Sequence, residues 1–107
     1  MAKLFDTHAH FTDEKLLGNE ELLRDIFAGD VGYILTAAVN ADDSEKCAAL
    51  AEQYETMYAS AGIHPEEISK ISDISTEVAK LERFLAREKT VAIGEIGLDY
   101  YWDKTYV

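Results

Sequence analysis

The chain has 107 residues, which is one small domain or part of a larger one. Hydrophobic residues make up 48%, with one proline and six glycines, a globular composition rather than a disordered one. A formal net charge of -11 excludes a broad basic surface for gripping nucleic acid, so a phosphodiester substrate would need neutralising by something other than lysines, such as metal ions.

In chain order, KLFDTHAHF (3–11) reads as a first strand. NEELLRDIFAGD (19–30) follows as a helix, with Asn19 as N-cap, acids in the first turn and Gly29 at its end. VGYILTAAV (31–39) is mostly apolar and rich in β-branched and aromatic residues, the pattern of a strand buried on both faces. DDSEKCAALAEQYET (42–56) is a second helix, whose Cys47, Leu50, Ala51 and Tyr54 recur at helical spacing. MYASAGIHP (57–65) is a third strand stopped by Pro65, and EEISKISD (66–73) is a polar loop with a helical turn. STEVAKLERFLAREK (75–89) is a third helix, TVAIGEIGL (90–98) a fourth strand, and DYYWDKTYV completes the sequence. Buried-type strands separated by helices predict an α/β fold of parallel βαβ units, with no repeat or linker inside residues 1–107.

Cys47 is the one cysteine, so no intrachain disulfide forms, and a reducing, cytoplasmic setting is expected. MAKLFDTHAH lacks the apolar run of a signal peptide. No stretch approaches the ~20 apolar residues of a membrane span, so no membrane partner is expected.

Parallel α/β architectures gather functional groups at the carboxyl ends of their strands. The reading places His8 and His10 there after strand one, Asn40 and Asp42 after strand two, His64 after strand three, and Glu95 and Asp99 after strand four. Asp6, His8 and His10 are two apart, so an extended strand would send all three from one face. Neutral imidazoles ligate zinc, manganese and similar ions, although an H-x-H pair is also compatible with ordinary surface histidines. Asp6 reads as a partner that fixes a ring or a neighbouring backbone group, or as a simple solvated cap. Glu95 shares parity with Val91 and Ile93, which read as core, so its carboxylate requires a partner: a metal, or a basic residue such as Lys104. Gly94 and Gly97 would allow close backbone approach there. His64 reads as a phosphate contact, a proton carrier or a hydrogen-bonded loop residue. Asp99 would orient a ligand or water, or cap its loop, and Tyr100, Tyr101 and Trp102 would stack on a base or pack.

FDTHAHFTD, AGIHPEE and VAIGEIGLDYYWDK together resemble the TatD family of metal-dependent deoxyribonucleases, with order and spacing maintained along the whole chain. Family members are (β/α)8 barrels of roughly 250 residues. The resemblance implies that residues 1–107 are a single partial domain: the first four βα units of a TIM-type barrel, a truncated half-barrel. It implies His8 and His10 as metal ligands, Glu95 as the carboxylate bridging two divalent ions, and His64 as a contact to the scissile phosphate of DNA or another phosphodiester. Magnesium, manganese and zinc are not distinguished.

In the family, two further histidines and an aspartate come from later strands and have no counterpart in this sequence. Weak metal binding and little turnover by the isolated chain are therefore expected. Self-association, or pairing with a complementing C-terminal half, would cover its open edges. The competing readings are another amidohydrolase-type activity at the same H-x-H centre and a non-catalytic interaction module.

Overall fold

The computed structural model describes residues 3–102 and 104–106. Four strands, β1 (Leu4–Ala9), β2 (Val31–Thr36), β3 (Met57–Ala61) and β4 (Thr90–Ile93), alternate with α1 (Glu20–Ala28), α2 (Ala41–Gln53) and α3 (Ile74–Leu85). Short 3-10 turns occupy Pro65–Lys70 and Lys104–Tyr106. The sheet order is β1-β2-β3-β4 and every pair is parallel, the expected βαβ arrangement. No helix among the described residues is long and apolar enough to cross a membrane.

Local chemistry starts each helix where polar caps stand. The Asn19 side chain accepts from Leu22 N at 3.0 Å, the Asn40 side chain from Asp43 N at 2.8 Å, and Asp73 from the amides of Ser75 and Thr76. Each satisfies amide donors that the first helical turn leaves orphaned. The strands end earlier than their apolar runs suggest, because their carboxyl ends leave the regular ladder while remaining tied across the sheet. Ala37 N donates to Ala9 O, His64 N to Val39 O, Gly94 N to Ala61 O and Glu95 N to Ala38 O. These links gather the strand ends into one rim.

The core lies between the sheet and its helices and contains Phe11, Leu23, Ile34, Cys47, Leu50, Ala51, Met57 and Ala59. Burying a side chain such as Ile34 or Met57 contributes about 1.5–3 kcal/mol. Successive strand residues point to opposite faces, so Tyr33 and Val91 lie on the face opposite buried Ile34 and Thr90. Val91 and Ile93 are 57% and 65% exposed, and Phe5 stacks on Tyr33 there with centroids 5.6 Å apart. The expectation of strand two buried on both faces, and of Val91 and Ile93 as core, is therefore corrected. Among the described residues one layer of helices packs on the sheet and covers one of its faces.

Cys47 is fully buried between α2 and β2, where its sulfur meets Thr36 Oγ1 at 3.7 Å. Burial, reinforced by the Asp43 carboxylate, pushes the thiol up to about 11. Because the folded value is raised, its contribution to stability is full below the ordinary thiol value of 9.0 and is lost as pH climbs toward about 11. Urea unfolding midpoints should therefore fall over that interval, and less so in Cys47→Ala. A disulfide reagent should label Cys47 only when the chain unfolds; labelling of the native chain at the rate of a free thiol would show that the site is open.

Candidate metal centre

The histidines of β1 reach the rim through an irregularity in their strand. Asp6 lies opposite Ile34 and Ala9 opposite Thr36, so β1 advances three residues while β2 advances two. The face alternation breaks there, and the simple expectation that Asp6, His8 and His10 leave one face fails at Asp6. Ala9 packs against the core, and flanking His8 and His10 leave on the other side. Asp6 Oδ1 accepts from His8 N at 3.1 Å, so Asp6 fixes the backbone of the shifted segment, one of its two expected roles.

His8 Nε2 and His10 Nε2 face each other at 3.1 Å. Glu95 completes the cluster, with Oε1 at 3.7 Å from His8 Nε2 and Oε2 at 3.7 Å from His10 Nε2. One ligand atom from each of these residues lies within 4.8 Å of the others. Two donors on a tetrahedral ion with bonds near 2.0–2.1 Å stand roughly 3.3 Å apart, so the imidazole pair already has the separation of a coordination edge. Two neutral imidazoles and one carboxylate form a donor set suited to a borderline divalent ion.

His64 Nε2 lies 3.9 Å from Glu95 Oε1, so three histidines surround one carboxylate. Among the described residues the charged partners within reach of Glu95 are these three histidines, and Lys104 is not one of them. The histidines differ in the proton they carry. The Nδ1 of His10 lies 3.2 Å from Ala37 O, and a carbonyl only accepts, so Nδ1 holds the proton and Nε2 offers a lone pair to the cluster. His64 Nδ1 accepts from Glu66 N at 3.1 Å, so its neutral ring carries the proton on Nε2 and presents a donor. His10 thus turns a lone pair toward the cluster and His64 an N–H.

The cluster opens into a cleft of about 750 Å³ lined by His10, Asn40, Asp42, Asp43, His64 and Glu95, among others. Asn40 has a structural task there: besides capping α2, its Nδ2 donates to Glu67 Oε1 at 2.7 Å. The Lys70 ammonium and that amide hold the Glu67 carboxyl below the usual carboxylate range. Asp42 lies on the wall, exposed. Asp43, overlooked in the sequence, accepts from Val39 N at 3.0 Å and from Thr12 Oγ1, joining the loops after β1 and β2. Its signal was its place three residues after the Asn40 cap. Asp99 caps its own loop, its Oδ1 accepting from Tyr101 N and Trp102 N at 2.8 Å each.

Glycine placement departs from expectation. A Cβ on Gly94 would meet nothing closer than 3.9 Å, and Gly97 needs its freedom for a φ of 149° rather than for close approach. The close approach is at Gly62, where a Cβ would sit 2.4 Å from Gly94 C and 2.7 Å from Glu95 O. Ser60 Oγ donates to Gly94 O at 2.8 Å and accepts from Ala38 N at 3.0 Å, so β2, β3 and β4 meet beneath the carboxylate.

Parallel strands thus bring a candidate metal-ligand cluster to their carboxyl ends, the arrangement of a barrel-type α/β fold. A sequence profile described as TatD related DNase matches residues 5–107, and the chain belongs to that family. It is 42% identical over 107 residues to the uncharacterized metal-dependent hydrolase YjjV of Escherichia coli K12, a match covering 96% of this chain and 40% of that protein. It is 36% identical over 103 residues to the uncharacterized metal-dependent hydrolase YabD of Bacillus subtilis 168, covering 95% and 40%. It is 31% identical over 98 residues to the 3'-5' ssDNA/RNA exonuclease TatD of E. coli K12, covering 91% and 37%. The crystal structure of YjjV superposes with a TM-score of 0.82 at 37% identity, over 94% of this chain and 39% of that one. The four βα units are thus half of a TatD-type TIM barrel, and the chain spans about 40% of the length of the YjjV and YabD relatives it matches.

Gly62→Ala forces the Gly94–Glu95 backbone to move, because the atoms it meets are main chain. Overpacking of this kind costs about 1–3 kcal/mol, to be read from urea unfolding of the variant beside wild type. An unchanged midpoint would show that the two segments do not touch.

Proposed function

We propose that this chain is the metal-holding N-terminal part of a hydrolase that cleaves phosphodiester bonds in nucleic acid, of deoxyribonuclease or exonuclease type. The observation that carries the proposal is the convergence of His8, His10 and Glu95 from β1 and the end of β4, with His64 as a donor beside them. The 3'-5' ssDNA/RNA exonuclease name borne by one relative supports nucleic acid as the substrate.

In this proposal His8 and His10 Nε2 and a Glu95 oxygen hold one divalent ion. Two ions are proposed for the complete site because the resemblance to the family implies them, with Glu95 shared between them. The imidazole-rich donor set suits zinc better than magnesium. When bound, the ions supply Lewis-acid polarisation of the phosphodiester and a more acidic water. His64 Nε2–H donates to a phosphate oxygen. Asp6 positions the β1 ligands through the His8 amide, and Asp99 shapes the loop after Glu95.

Turnover by these 107 residues alone is proposed to be slight, because His8, His10 and Glu95 form the one metal-ligand cluster of the described residues. The uncovered sheet face and the outer edges of β1 and β4 are proposed to be closed by a complementing C-terminal half or by self-association. A cytoplasmic setting belongs to the same proposal, supported by the buried free thiol of Cys47.

The test is thermal melting with and without manganese or zinc, for wild type and a His8→Ala/His10→Ala double variant. At one hundred times its dissociation constant an ion adds about 2.7 kcal/mol of stability, a shift on the order of 10 °C or more for a domain of this size. Only the wild type should shift. An equal response from both proteins, or from neither, overturns the metal centre.

A further inference from the structure

The loop after β4 presents three consecutive aromatic side chains, Tyr100, Tyr101 and Trp102, which are 63%, 77% and 74% exposed. Contiguous exposed rings of this size mark a binding surface more often than isolated ones do. The loop is locally ordered, since both amides that follow Tyr100 are held by one Asp99 oxygen. Tyr101 and Trp102 meet edge to face, with centroids 4.6 Å apart and planes at 90°. With Leu98 they wall a cleft of about 650 Å³ whose other side is His64, Pro65 and Glu66. His64 and Glu66 also line the metal cleft, so the two cavities meet at His64.

No lysine or arginine among the described residues lines this second cleft, and Glu66 and Asp99 do. That chemistry repels a further phosphate. It suits a flat heterocycle, which stacks on a ring face and directs its N–H groups at carboxylates. A strand whose phosphate lies at His64 Nε2–H would carry its adjoining nucleoside into the aromatic cleft. We infer that Tyr100, Tyr101 and Trp102 form a base-stacking subsite for the nucleoside adjoining the phosphate held at His64. The inference rests on the phosphodiesterase reading and adds its substrate class. The strand must be single, because a paired base has no free face to stack, and the subsite tolerates any base, because every base has a π face.

Trp102 is the one tryptophan of the chain, so its emission reports this loop alone. The experiment titrates the zinc-loaded 107-residue chain with a short oligothymidylate and with an abasic oligomer carrying the same phosphates. Thymidylate should quench Trp102 saturably and the abasic strand should not. Tyr101→Ala, a change at an exposed position, should weaken the thymidylate affinity by about five- to one-hundredfold. Equal quenching by both strands overturns the subsite. So does no quenching while zinc still raises the melting temperature, an outcome that leaves the metal centre standing. Quenching by thymidylate without any zinc-dependent melting shift would instead keep the subsite and remove the metal reading. A concentration-dependent blue shift of Trp102 without oligomer would show a second copy of the chain covering the rings, and also overturns the inference.

Discussion

Three imidazoles converge within 3.9 Å of the Glu95 carboxylate, and most of the local architecture serves to hold that carboxylate in place. A half-buried carboxylate needs partners, and here they come from strand ends far apart in the sequence. The support is main chain. Glu95 N is bonded to Ala38 O, Gly94 N to Ala61 O, and the Gly94 carbonyl to Ser60 Oγ. Gly62 lets the carboxyl end of β3 run against the Gly94–Glu95 backbone, which a side chain there would prevent. Placing the acid on the rigid rim of a sheet limits how far it can swing, which is what a metal site requires.

The same rim divides the histidines by proton position. The Ala37 carbonyl takes the Nδ1 proton of His10, and the Glu66 amide gives one to Nδ1 of His64. One backbone group in each case makes chemically identical rings present an acceptor and a donor. Charge follows a related logic. The chain carries -11 and its larger cleft is lined largely by acids, so under the proposed reading the positive charge that meets a phosphate would come mainly from bound ions. Lys46 stands in the wall of that cleft, whereas no lysine or arginine among the described residues lines the aromatic cleft beside it, which offers ring faces instead.

Much of this was legible in the sequence for physical reasons. The helix cap at Asn19 was readable because its side-chain oxygen satisfies a first-turn amide, whereas the caps at Asn40 and Asp73 emerged only in the structure. The apolar run around Ile34 marks a strand, and His8 and His10 flank Ala9, which pairs with Thr36 and faces the core, so both leave on the other side. The FDTHAHFTD, AGIHPEE and GEIGLDYYWDK segments carried the family, which the profile match and the YjjV superposition bear out. Other features were not legible. Asp6 falls on the wrong side of a register shift that no local pattern announces. Val91 and Ile93 look like core residues but stand exposed, because apolar character does not reveal which face of a sheet is covered.

The sequence alone therefore determined the βαβ order, the Asn19 cap, the family and the residue types at each strand end. These are local properties, written in composition, period and turn chemistry. Only the tertiary structure decided that Gly62, rather than Gly94 or Gly97, makes the close approach beneath Glu95. It alone assigned Asp43 to joining two loops and gave His10 and His64 opposite tautomers. The reason is that each of these depends on which backbone atoms of separate strands come within hydrogen-bond or van der Waals distance. That distance is set by the register and twist of the assembled sheet, not by any one segment of the chain.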